Sequence, residues 1–176
     1  MSRKKRVVLV ILTSLSFVLL FNIGAYSSVS KEDAEIINNQ FREMVKDIDA
    51  LGIFFNNFRI ALAMFIPALG VVIGLFSAYS TGFVFRAIVE TTPNLASIPP
   101  TLVLVTPFGI LEVISYGIAM SQSIVLTHSM VLKRDLKSML RPTLILVGIV
   151  SVVLLVAAYI EYYMIKMIEE NVSMMI

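Results

Sequence analysis

Two ionisable residues stand inside apolar runs, Arg59 early in the run 53–78 and Glu112 early in the run 108–126. Charge inside a bilayer is costly, so such groups are usually paired and mark either helix association or a path for ions or protons. Helical spacing puts Arg59, Ala63, Pro67, Gly70, Gly74 and Ala78 on one face, and Glu112, Ser115, Ala119 and Ser123 on another. Gly70 and Gly74 have the small-x-x-x-small spacing that lets two membrane helices approach closely. The two faces are therefore expected to pack, with Arg59 meeting Glu112. Arg59 has a second option, since a long side chain can snorkel to the interface, whereas a short acid cannot reach far. Such a pair can hold two helices together, conduct or sense an ion or proton, or form part of a binding site.

Little else in the chain offers chemistry. The single histidine, His128, ends an apolar run and reads as an interfacial residue. Methionines Met164, Met167, Met174 and Met175 gather near the tail, but without histidine or cysteine nearby they read as packing or lipid-facing side chains rather than copper ligands. There is no cysteine, which excludes disulfides and Cys-based metal sites. Walker, HExxH and Ser/His/Asp patterns are missing, so no catalytic residue, cofactor or metal is expected and the chain reads as non-enzymatic.

The elements that must position Arg59 and Glu112 are membrane spans. The 176 residues are 58% apolar and 15% charged, against about 45–50% and 25% for soluble domains. Residues 7–26 carry no charge and follow Arg3-Lys4-Lys5-Arg6, which reads as an uncleaved anchor rather than a signal peptide. Residues 53–78 form a second span, kinked at Pro67. Residues 83–105 are interrupted at Glu90 to Asn94, at Pro99-Pro100 and at Thr106-Pro107, and read as a broken third span. Residues 108–126 and 143–164 supply the fourth and fifth.

Charge sets the sidedness. Lys133, Arg134, Lys137 and Arg141 against Asp135 put the loop before the last span in the cytoplasm with the basic N-terminus. Parity then requires 83–105 to cross once and leaves Glu169 and Glu170 outside. The basic N-terminus is explained by topology, so nucleic acid is not implied. The expected fold is an all-α, five-pass bundle forming a single membrane domain over 1–176 in the cell membrane.

Residues 30–51 differ in character. Ser28 to Gly52 holds three basic residues against six acidic ones, and Ile37, Phe41, Met44, Ile48 and Leu51 recur at helical spacing. Ser30 and Asp33 resemble a capping box. This is an external amphipathic helix, and its narrow stripe suits either a partner helix or the protein's own membrane part.

Three motifs carry a family resemblance. Phe54-Phe55-Asn56-Asn57-Phe58-Arg59-Ile60-Ala61-Leu62 is similar to an Asn-Asn pair opening a span, and Tyr79-Ser80-Thr81-Gly82-Phe83 to an Asn-Gly turn with Thr81 in the Asn place. Thr106-Pro107-Phe108-Gly109-Ile110-Leu111-Glu112 is similar to a Pro-His-Gly-x-x-Glu motif with Phe108 in place of the histidine. The sequence thereby resembles the stage II sporulation protein M family of small bacterial and archaeal membrane proteins. The resemblance singles out Asn56, Asn57, Arg59, Gly109 and Glu112, with Gly109 joining Gly70 and Gly74 as a packing position. It implies a non-catalytic subunit acting with other membrane proteins in envelope remodelling. The leading expectation is accordingly a membrane scaffold or accessory subunit. The competing ones are a small transporter or channel using Glu112 and the broken segment, and an accessory subunit of a membrane enzyme.

Overall fold

The computed structural model describes residues 2–92, 98–133 and 135–173, with side chains through Met167. Positions 93–97 of the expected broken span, Arg134, the side chains of Glu169 and Glu170, and Met174 and Met175 lie outside the described residues. Among the described residues there are seven helices: α1 (Arg3–Ala25), α2 (Lys31–Val45), α3 (Ala50–Met64), α4 (Gly70–Thr91), α5 (Thr101–Leu104), α6 (Pro107–Val131) and α7 (Lys137–Ser173). No strand occurs among the described residues. Four of the helices, α1, α4, α6 and α7, are long and apolar enough to cross a membrane, and α3 is a shorter apolar helix.

The amphipathic segment ends sooner than its periodicity predicts. The Ser30 hydroxyl caps α2 by accepting from the Asp33 amide at 3.1 Å and donating to the Asp33 carboxylate at 2.7 Å. The helix stops at Val45, because Asp47 turns the chain with φ of 59° and Asp49 starts α3, its carboxylate accepting from the Gly52 amide at 2.7 Å. Ile37, Phe41 and Met44 thus lie on α2, Ile48 lies in the connection, and Leu51 lies in the first turn of α3. The face of α2 that is buried carries Ala34 and Asn38, and the Asn38 amide donates to the Thr91 hydroxyl of α4 at 2.8 Å.

The break in the membrane part also sits elsewhere. Residues 53–78 are not one kinked span: the helix stops at Met64 and restarts at Gly70. Pro67 lacks an N–H and its ring obstructs the preceding turn, while Ala68 takes φ of 63°. Backbone groups freed inside a membrane must find partners within the protein. Here α6 supplies them: the Ser123 hydroxyl donates to the Ile66 carbonyl, and the Ala68 amide donates to the Thr127 hydroxyl, both at 2.6 Å.

α4 then runs unbroken through residues 79–83, so the predicted turn at Thr81-Gly82 is helical. No proline interrupts it, the Thr81 hydroxyl donates back to the Ser77 carbonyl, and Arg86 pairs with Glu90 one turn on at 2.6 Å. The expected broken span 83–105 is therefore divided between the end of α4 and the one-turn α5. α4 ends at Thr91, just before Pro93 would disfavour a helical residue at position 92.

Contacts fix the directions. Asn57, Ile66 and Ala68 meet Glu112, Ser123 and Thr127 in that order, so α3 and the turn after it run parallel to α6. Gly70 abuts Ser123 and Gly74 abuts Met120, so α4 returns against α6. α1 also opposes α6, with Ser14 at Val113 and Val10 at Gly117. The short connection at 132–136 sends α7 back along α6, and Gln122 donates to Thr143 at 2.8 Å between them. At these contacts α3 runs with α6, while α1, α4 and α7 oppose it. Its core is apolar and rich in small residues, among them Ala61, Ala78, Ala119, Ala157 and Ala158, each fully buried, with Phe21, Met64, Met120 and Leu154 filling the space between.

Candidate functional site

The site is built on the parallel pair α3 and α6. Thr106 caps α6 by accepting from the Gly109 amide at 3.1 Å, and Pro107 occupies the first turn, where its missing N–H costs nothing. Gly109 is required by a close approach, since a Cβ there would run into the Val103 carbonyl of α5. Glu112 follows one turn later, half-buried and facing α3.

Arg59 and Glu112 do not form the expected direct pair. The Asn57 amide donates to the Glu112 carboxylate at 2.6 Å, the Asn56 amide donates to the Asn57 oxygen at 3.4 Å, and the Arg59 guanidinium donates to the Asn56 oxygen at 2.8 Å. The guanidinium and the carboxylate are thus the two ends of a chain of hydrogen bonds running through both asparagines. Helix geometry gives the reason. Successive residues are about 100° apart, so with Asn57 turned towards α6, Arg59 lies on the opposite side of α3 and is exposed. The face drawn from Arg59 through Gly70, Gly74 and Ala78 also fails as one surface, because the chain turns at 65–69 between its halves. The lower half does face α6: a Cβ on Gly70 would meet the Met64 carbonyl and Ser123, and one on Gly74 would meet Met120.

Ser115, one turn beyond Glu112, is fully buried, and its hydroxyl finds no hydrogen-bond partner. Two further groups, which the sequence reading did not select, complete the surroundings. Glu161 of α7 lies within electrostatic reach of Glu112, and the buried Tyr116 lies within reach of both acids. Glu161 carried a signal, as the first charge after the long apolar run of the last span, but nothing in its spacing pointed to α6. Among the described residues the only ion pair within 4.0 Å is Arg86 with Glu90, so neither acid is neutralised by a neighbouring cation. No group of three metal-ligating side chains occurs among the described residues. The arrangement can join helices and hold a proton or a hydrogen-bonding group at Glu112.

Other polar links across the bundle escaped notice because each is a single neutral residue in an apolar run. The Thr13 hydroxyl reaches the Gly117 carbonyl at 2.8 Å, and the Thr101 hydroxyl donates to Asn22 at the same distance. His128 lies exposed near the end of α6.

Helices of this length and polarity, packed round a hydrogen-bonded Asn-Asn pair and an intramembrane acid, define a multi-pass integral membrane protein. Residues 8–164 match the sequence model of the family described as stage II sporulation protein M. The chain belongs to that family. No curated protein and no solved structure matches it.

Proposed function

We propose that the protein is a non-enzymatic scaffold or accessory subunit of a larger membrane assembly, and that α7 is where it joins its partner. The observation behind this reading is the outward face of α7. Ile145, Ile149, Val152, Val156, Tyr159 and Tyr163 recur at steps of 4, 3, 4, 3 and 4 and are all exposed. That is the narrow seam of a helix packing along another helix. Gly148 lies beside it with nothing within 4 Å of a Cβ built on it, the kind of small residue that admits a close neighbour. Val150, Leu154, Ala157 and Ala158 already seal the opposite side against the bundle. At 37 residues α7 is about 55 Å long, well beyond the roughly 30 Å of a hydrocarbon core. The seam from Ile145 to Tyr163 covers about 27 Å of that length, one core thickness, so the partner that fits it is another membrane helix.

We orient the chain in the cell membrane with its N-terminus in the cytoplasm and its C-terminus outside, on the strength of the basic residues at 3–6 and 133–141. Whether the partner is itself an enzyme does not alter the role of α7. Purification in mild detergent with mass spectrometry of the bound chains tests the proposal. Gly148→Leu should leave the protein inserted and monodisperse while the co-purifying chains are lost. An unchanged set of bound chains would rule out this face.

Glu112 beside Glu161 favours a second reading, a small transporter or channel. It requires proton or cation flux through reconstituted vesicles that Glu112→Gln abolishes. A surface cleft that follows α7 alone, lined by Leu155, Tyr159, Tyr163 and Met167, suits the first reading.

A further inference from the structure

We propose that the cleft between the end of α2 and the start of α3 holds one phospholipid, with its phosphate on Arg59. The cleft has a volume of about 310 Å³ and is walled by Phe41, Met44, Ile48 and Phe55, with Asn56 and Arg59 as its polar end. Arg59 comes ten residues after the cap of α3, so its backbone lies roughly 15 Å down the helix axis. Side chains on a helix lean towards its N-terminus, and the bond to Asn56, three residues back, shows Arg59 doing so. The guanidinium thus reaches back along an apolar helix towards the strongly polar α2.

A guanidinium has five N–H donors, and the structure gives Arg59 one acceptor. No carboxylate lies within 4.0 Å of it among the described residues. A phosphate takes two parallel N–H bonds from arginine and is the anion that every phospholipid carries. The apolar wall suits the acyl chains below it. The occupant is therefore a phospholipid, for which phosphatidylethanolamine serves as the probe. The sequence stripe of Phe41, Met44 and Ile48 acquires a use that needs no partner helix.

The full-length protein in detergent, given phosphatidylethanolamine or diacylglycerol with the same chains, is read by native mass spectrometry. The wild type should retain one phosphatidylethanolamine and release diacylglycerol. Arg59→Gln should retain about ten-fold less, and Met44→Glu, which places an acid in the cleft through an exposed side chain, should show the same loss. Equal retention of phosphatidylethanolamine by Arg59→Gln would overturn the proposal. So would equal retention of diacylglycerol by the wild type, or a protein chain in place of lipid that Arg59→Gln releases.

Discussion

At the scale of single residues, the asparagine pair is what turns two isolated charges into one structure. Arg59 and Glu112 were legible in the sequence as costly groups, but the direct pair expected between them does not form. A difference of two positions on a helix decides which of Asn57 and Arg59 faces α6, and periodicity carries no absolute phase. The distinction is measurable. Asn57→Ala and Glu112→Leu should each destabilise by about 1–3 kcal/mol, as expected when a buried polar partner is left unsatisfied. Their double mutant should cost clearly less than the sum, because the same hydrogen bond is lost in both. Arg59→Ala with Glu112→Leu should come much closer to additive. Detergent-based thermal or chemical unfolding of the four variants reads both cycles, and a stronger coupling to Arg59 than to Asn57 would refute the relay.

At the scale of elements, small residues set where helices cross. α1 and α4 meet backbone to backbone: a Cβ on Gly24 would strike the Tyr79 carbonyl, and one on Gly82 would strike the Phe21 carbonyl. The sequence reading assigned Gly82 to a turn because glycine marks turns as readily as close packing, and only a neighbouring helix distinguishes the two. It likewise treated Pro67 as a kink, since the hydroxyls of Ser123 and Thr127 that make a full stop tolerable lie more than fifty residues away. By contrast, the caps at Ser30, Asp49 and Thr106 depend on residues three positions on and are local signals. Gly82→Ala should lower the melting temperature, because backbone atoms on both sides must move apart. Gly148→Ala should be neutral or stabilising by up to about 1 kcal/mol, as for glycine replaced in an unobstructed helix interior. A destabilised Gly148→Ala alongside a tolerated Gly82→Ala would invert this account of the packing.

At the scale of the whole molecule, everything depends on α3 counting as a crossing. It has 15 residues, about 22 Å, and four other helices meet the usual length for a span. With the non-helical turn at 65–69, bonded to α6 beside Ser123 and Thr127, α3 follows most of the length of a helix that does span. Basic residues at 3–6 and 133–141 make five passes the expectation from the sequence. How the chain divides into helices was not legible there, since it rests on contacts between distant segments. Single-cysteine labelling with a membrane-impermeant reagent decides the matter, and the natural absence of cysteine makes it clean. With five crossings, intact cells should show labelling at positions 40 and 172 and protection at 4 and 136. If α3 only dips into the bilayer and four helices cross, position 136 will label from outside and position 172 will be protected, and the parallel pairing of α3 with α6 as two spans is wrong.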